Sequence, residues 1–342
     1  MRPTMSMEEI AKIFGVSKVT VSKALNDKAG VSDELRQKIK AKANELGYRI
    51  NPSARGLKTN KNYNVGIIIP SRFVGSDSSY YFGVYIKVVT KLTSLGYSSI
   101  LEVIQPQKEK DLELPDIYVD NKVDGLIVMG QLSDNYLALF EESDIPVIFF
   151  DFYLNNTHVD CVVTDNFYSG WNLTELLIAK GHTKIGFVGN VYSTSSIQDR
   201  FLGYCRGLLA HKITLDKDII ISDRDDDGQF IKLKLPKNMP TAFVCNNDQV
   251  AYDLIKLLQE NGYRVPDDIS VASFDNTKFS IRSNPQITTV DNNVDEMVDV
   301  ACKVIIKKIE KTVKQYNRIL IKTTLIERDS IKDINERKQN ND

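Results

Sequence analysis

The sequence predicts a small all-α headpiece followed by an α/β body built on parallel sheets. Three observations predict it. Charge is split unevenly along the chain, residues 6–46 carry three short capped helical patterns, and from Asn64 onward apolar β-branched runs alternate with helical ones. The 342 residues allow about two or three domains. With 42% hydrophobic residues the chain can bury real cores without disulfide or metal staples.

The whole chain has a net charge of −1, from 44 Lys+Arg against 45 Asp+Glu, which taken alone argues against a nucleic-acid binder. Residues 1–62, however, hold 13 Lys/Arg and only 6 Asp/Glu, a net of +7, leaving −8 for the remaining 280 residues. Such asymmetry points to a nucleic-acid-binding end joined to a body with another job. Cys161, Cys205, Cys245 and Cys302 form no C-x-x-C pair, and three of them sit in apolar runs, as buried reduced thiols do. The opening MRPTMSMEEIAK lacks the apolar stretch of a signal peptide, and no run approaches a membrane span, so a cytoplasmic location is expected.

Ser6-Met7-Glu8-Glu9 reads as a capping box, with Ile10, Ile13 and Phe14 as one apolar face and Gly15 ending the helix. Ser17 caps a second helix, Lys18 to Leu25, with Val21 and Leu25 facing inward. After a polar loop, Ser32 caps a third, with Leu35, Ile39 and Leu46 as the buried stripe and Asp33-Glu34 at the positive helix end. Residues 49–62 differ: Asn51-Pro52 is an N-cap and N1 pair, but the helix it starts is short, contains Gly56 and is mostly unfolded alone in water. Residues 65–70 are a continuous β-branched run, as in a parallel strand buried on both faces. Further strands are expected over 99–104, 125–129, 147–150, 161–164, 185–188, 242–245 and 269–274. Helical patterns over 171–179, 249–259 and 296–310 lie among them, an alternation that fits one barrel or two doubly wound halves. The expected domains are a headpiece over 1–48, a linker over 49–62, a body over 63–330 and a polar, disordered tail over 331–342.

The headpiece has the spacing of a helix-turn-helix. Ala11, four residues before Gly15, lets the next helix cross closely, and Gly15 supplies the turn. Ser17 starts a helix whose first turns bear Lys18, Val19, Thr20, Ser22 and Lys23, side chains that reach base edges and phosphates from a major groove. A bundle with a merely basic face is the alternative, and the +7 charge weighs against it.

Residues 6–58 also carry Ile10-Ala11, Gly15-Val16-Ser17, Val31-Ser32, Leu46-Gly47-Tyr48 and Ala54-Arg55-Gly56-Leu57-Lys58. The body carries, in order, Asp124-Gly125-Leu126-Ile127, Thr164-Asp165-Asn166, Lys180-Gly181-His182, Asp199-Arg200-Phe201, Asn247-Asp248, Phe274-Asp275-Asn276 and Thr288-Thr289-Val290. Each motif alone is weak, but the ordered set, over about residues 6–328, resembles the LacI/GalR family of bacterial repressors.

The resemblance implies DNA contacts from Ser17, Lys18, Val19, Thr20, Ser22, Lys23 and Asn26, and from Tyr48, Asn51, Ala54, Arg55 and Leu57 in and before a hinge helix. In that family the hinge enters the minor groove and a leucine wedges into a base step; Leu57 stands at that position. It also implies a two-lobed core like a periplasmic binding protein, with doubly wound parallel sheets and three crossovers. Lobe 1 spans about 63–161 and 293–317, and lobe 2 about 162–290 and 318–328. Effector contacts carry over to Asp165, Arg200, Asn247, Asp275 and Asn292, and Tyr81 and Phe82, near the start of the first core helix, are expected to supply an aromatic platform. A guanidinium fork suits paired hydroxyls or a carboxylate, and Asp275 ends a strand where open α/β sheets bind ligands. Asp165 reads equally as a helix cap.

The implied partners are near-palindromic double-stranded operator DNA, a second copy of the chain, and a small effector, a mono- or oligosaccharide in preference to a purine. Residues 75–81 and 222–240 depart from the family pattern, so effector contacts there do not carry over. The acidic run Asp225–Asp227 lacks the spaced ligands of a calcium loop, and no metal or cofactor is expected. A transport component is opposed by the basic front, and an enzyme by the lack of G-x-G-x-x-G, P-loop, G-x-S-x-G or metal motifs.

Overall fold

Three short helices make the front of the chain: α1 (Met7–Phe14), α2 (Lys18–Leu25) and α3 (Asp33–Glu45). They are seen in a computed structural model that describes residues 6–48, 61–74, 79–155, 157–225, 228–312 and 315–335. The expected hinge contacts Asn51, Ala54, Arg55 and Leu57 lie outside these residues. The capping box forms, with Ser6 N donating to Glu9 Oε2 at 2.6 Å and Glu9 N to Ser6 Oγ at 3.3 Å. Gly15 ends α1 at φ +62°, where a side chain would be strained. Ser17 and Ser32 cap α2 and α3. Ile10, Val21 and Ile39 are fully buried, with Ala11, Ala24 and Ala43 letting the helices approach closely. Two expectations change. Ile13 is 50% exposed, and the stripe of α3 runs Leu35, Ile39, Ala43, because Leu46 lies past the last helical turn. Arg36 braces the loop before α3, donating to the carbonyls of Lys28 (2.9 Å) and Val31 (3.3 Å).

The chain divides into Met1–Asn62 and Tyr63–Asp342. The second unit holds two six-stranded sheets. The strands are β1 (Asn64–Pro70), β2 (Ser98–Ile104), β3 (Gly125–Met129), β4 (Val147–Phe150), β5 (Asp160–Thr164), β6 (Ile185–Val188), β7 (Ile220–Ile221), β8 (Ala242–Cys245), β9 (Ser270–Phe274), β10 (Thr288–Asp291), β11 (Arg318–Ile321) and β12 (Thr324–Ile326). The long helices are α4 (Ser79–Ser94), α5 (Asn166–Ala179), α6 (Ser195–Ala210), α7 (Asp248–Glu260) and α8 (Val294–Ile309). The first sheet runs β11-β5-β4-β3-β1-β2 and is wholly parallel; the second runs β12-β10-β9-β8-β6-β7, with only β12 antiparallel. Their central strands are buried along their whole length, and each sheet carries an apolar cluster on both faces, as doubly wound sheets require.

The lobe boundaries differ from those expected. Cys161–Thr164 pair in register with Arg318–Ile321, so all of β5 and β11 belong to the first lobe, whereas sequence assigned residues 162–164 and 318–321 to the second. The chain crosses after the C-terminal ends of β5, β10 and β11. Residues 331–335 also correct the disordered tail. Lys332 N donates to Ser270 Oγ (3.0 Å), Ile334 N donates to Lys180 O (2.9 Å), and Ile331 packs on the core. Their polar composition hid this because backbone groups make the docking bonds.

Candidate functional site

On the headpiece, the N-terminal turn of α2 has no acidic residue to mask the positive end of its dipole. Val19 stands 64% exposed there. Lys18 is exposed and paired with Glu8 at 2.7 Å, a surface ion pair of little worth that a phosphate readily displaces. Thr20, Ser22 and Lys23 are half-buried, and exposed Asn26 donates to Ser22 O at 2.8 Å. Ser17 Oγ is occupied as a cap, accepting from Thr20 N at 3.1 Å. Tyr48 is half-buried against the headpiece core.

The second candidate is a cleft between the lobes of the body. Arg200, 5% exposed, stands at its centre. Nε donates to Asn166 Oδ1 at 2.7 Å, one Nη donates to the carbonyl of Asn246, and the other to Asp275 Oδ1 at 3.0 Å. Its guanidinium also lies 4.6 Å from the centre of the Phe274 ring. Asn292 backs this pair from behind, donating to Asp275 Oδ1 at 2.9 Å. Arg200 is held in place by helix contact. A Cβ on Gly170 would lie 2.3 Å from Arg200 O, and one on Gly203 would lie 2.1 Å from Phe167 O, so α5 and α6 meet backbone to backbone.

Opposite stands Asp151, directly after β4, as Asp275 directly follows β9. Both have positive φ, +71° and +99°, a strained backbone at the strand ends where ligands bind. Asp151 Oδ2 accepts from Tyr81 Oη at 2.9 Å, while Oδ1 is buried with no partner. Burial pushes the Asp151 carboxyl up to about 7, against the opposing pull of Arg200. Asp248 is pushed up to about 6, chiefly by burial and then by Asp275. For Arg200 burial works against the charge, but Asp275 and Asp151 outweigh it and leave its pKa raised.

A carboxyl raised on folding binds its proton more tightly in the native state. Its contribution to stability is therefore complete below about 3.8 and is lost as pH rises through about 7. Unfolding of Asp151→Asn beside the wild type should show the wild type losing ground steadily between those pH values. A stability difference that does not change with pH would place this carboxyl in water.

Of the expected effector residues, Tyr81, Arg200, Asn247 and Asp275 line the cleft. Asn247 also caps α7, accepting from Val250 N at 2.9 Å. Asn292 sits behind Asp275. Phe82 does not join them. It is 53% exposed, because one further residue on α4 turns the side chain away from the face that carries Tyr80 and Tyr81. Asp165 caps α5, accepting from Tyr168 N at 3.1 Å, and it is Asn166 that reaches Arg200. Sequence reasoning missed Asp151, although an acid ending an apolar strand is the same signal that marked Asp275. It also missed Arg72, Tyr80, Arg224 and Phe230, which line the cleft from segments bordering or lying in stretches without a family pattern to read. Among the described residues no helix is long and apolar enough to cross a membrane.

A model of bacterial regulatory proteins of the lacI family matches residues 6–51, and one of a periplasmic binding protein-like domain matches residues 174–331. The chain is 29% identical over 335 residues to the HTH-type transcriptional repressor PurR of Histophilus somni (strain 129Pt), covering 96% of this chain and 99% of that protein. Among solved structures it resembles the lac repressor dimer bound to operator and the anti-inducer ONPF, with TM-score 0.75, 21% identity and coverage of 96% and 99%. It also resembles the complex of the transcriptional regulator CelR with cellobiose, with TM-score 0.68, 21% identity and coverage of 95% and 99%. Its full-length relatives are DNA-binding transcriptional repressors and not enzymes. Residues 6–51 thus form a helix-turn-helix domain of the lacI family and residues 174–331 belong to a periplasmic binding protein-like domain, in a chain that transcriptional repressors match from end to end.

Proposed function

We propose that the chain represses carbohydrate-utilisation genes as a homodimer on a near-palindromic operator, and that a saccharide in the cleft changes its hold on DNA. The observation that carries the ligand response is Arg200, buried and triply bonded in a cleft whose wall also supplies Asp275, Asn247 and Tyr81. A fixed guanidinium beside carboxylates orients hydroxyls without itself rearranging. The CelR structure that shares this fold holds cellobiose. For DNA, Ser17, Lys18, Val19, Thr20, Ser22, Lys23 and Asn26 on or flanking α2 meet a major groove, while Tyr48, Asn51, Ala54, Arg55 and Leu57 serve the hinge. For the dimer, Phe82 and Ile86 are one turn apart on α4 and 53% and 50% exposed, an apolar stripe suited to a second copy. The saccharide works by binding the DNA-competent and DNA-incompetent arrangements unequally, and the shift is bounded by that difference.

Operator binding should weaken steeply with salt, with a log–log slope of about −0.9 per phosphate contact. Leu57→Ala should weaken it at every salt concentration and leave saccharide-induced thermal stabilisation unchanged. An affinity indifferent to both salt and Leu57 would remove the DNA reading.

A further inference from the structure

The charges of the cleft do not cancel. Three guanidiniums line it, and each already has a carboxylate: Arg200 with Asp275 at 3.0 Å, Arg224 with Asp223 at 2.8 Å, and Arg72 with Glu109 at 2.7 Å. These pairs are embedded. Asp223 also accepts from Asn190 N and Asn246 Nδ2 (both 2.8 Å), and Glu109 also accepts from Ser133 N (2.7 Å), so neither arginine can swing to a ligand without stripping a buried acid. Two more carboxyls, Asp151 and Asp248, line the same cleft, 6% and 0% exposed, with no cation at ion-pair distance among the described residues. Asp248 is satisfied by Thr289 Oγ1 (2.6 Å), Thr277 N (2.6 Å) and Ser273 Oγ. Asp151 keeps one oxygen without a partner. Residues 75–78 and 226–227, next to segments that line the cleft, include no Lys or Arg.

We infer that the effector carries no negative charge and presents a hydrogen-bond donor, a hydroxyl or an amine N–H, to Asp151 Oδ1. Sugar phosphates, uronic acids and nucleotides are then rejected by charge. This rests on the reading of the cleft as the effector site and narrows its ligand class. An anion at about 6 Å from one unpaired carboxylate, at an effective dielectric of about 20, loses roughly a hundredfold in affinity. Asp151 faces Tyr80, Tyr81, Arg200 and Asp275, and its carboxyl is pushed up to about 7, so the rejection is strongest above that pH.

The test measures thermal shift and calorimetric affinity of the full chain at pH 8 with ligands paired by skeleton. The pairs are glucose with glucuronate and glucose 6-phosphate, cellobiose with cellobionate, and adenosine with its monophosphate. Whichever skeleton binds should bind at least about tenfold more tightly in its neutral or amine form. The acid-to-neutral ratio should widen from pH 6 to pH 8, and Asp151→Asn should narrow it about tenfold. The pH series needs no variant and stands if Asp151→Asn misfolds. An acid or phosphate that binds as tightly as its neutral partner overturns the inference and leaves a sugar effector standing. A neutral nucleoside as the binding compound removes the sugar and leaves the charge rule.

Discussion

Arg200→Ala should cost the body about 3–5 kcal/mol of unfolding free energy and abolish its response to a cleft ligand. The guanidinium is 5% exposed, so solvent does not screen its pairing. Its removal leaves Asp275, whose side chain is 14% exposed, without a cation, and Asn166 Oδ1 and Asn246 O without their donor. Arg200→Lys keeps a charge but cannot reach three acceptors from one ammonium, and should fall between alanine and wild type. Denaturant unfolding and a ligand thermal shift, measured together, check this. A loss below about 1 kcal/mol with the ligand response intact would show that the cleft does not depend on Arg200.

The second large effect is expected at Gly203. Alanine is the better helix former by up to about 1 kcal/mol, yet Gly203→Ala should destabilise by about 3 kcal/mol. The new Cβ would lie 2.1 Å from Phe167 O and 2.7 Å from Trp171 N, and backbone atoms cannot rotate away as a side chain does. The helices must separate, and Arg200, three residues earlier on α6, moves with them. Gly83→Ala on α4 is the control: nothing lies within 4 Å of its Cβ, and it should be neutral or slightly stabilising. Equal stability of the two variants would mean that α5 and α6 do not touch as described.

Most central strands were legible because a strand buried on both faces is largely apolar, and each expected strand falls within one residue of an observed one, although β10, whose buried threonines break the apolar run, went unread. The edge strands β11 and β12 were not. Arg318–Ile321 and Thr324–Ile326 are largely exposed and short, and their pairing partners lie far back in the chain. In the cleft, Arg200 was found through the family resemblance, and Asp275 through the resemblance together with its place at the end of a strand, a local property. Phe82 was misplaced because Tyr80 and Tyr81 already fill the face of α4 that turns to the cleft, and one further residue of helical rotation takes Phe82 out to solvent. The ion pair Arg72–Glu109 joins residues whose meeting depends on loop paths, which no periodicity encodes, and Arg224 and Asp223, though neighbours in sequence, reach the cleft on a segment with no periodicity to read.

The crossovers have a consequence for how the molecule is made. The first lobe's inner face, with Val65, Ile67 and Ile127, is covered by Met297, Ala301 and Ile305 of α8, and its sheet is closed by β11. Both arrive only after all of the second lobe but β12 and the segment that follows it has been synthesised. A nascent chain therefore carries an open apolar sheet through that interval, the kind of surface on which aggregation starts and chaperones bind. The second sheet gains its last strand, β12, only a few residues after the first gains β11. Both halves of the cleft thus mature nearly together at the end of translation, while the three-helix headpiece, contiguous in sequence, can fold as soon as it leaves the ribosome.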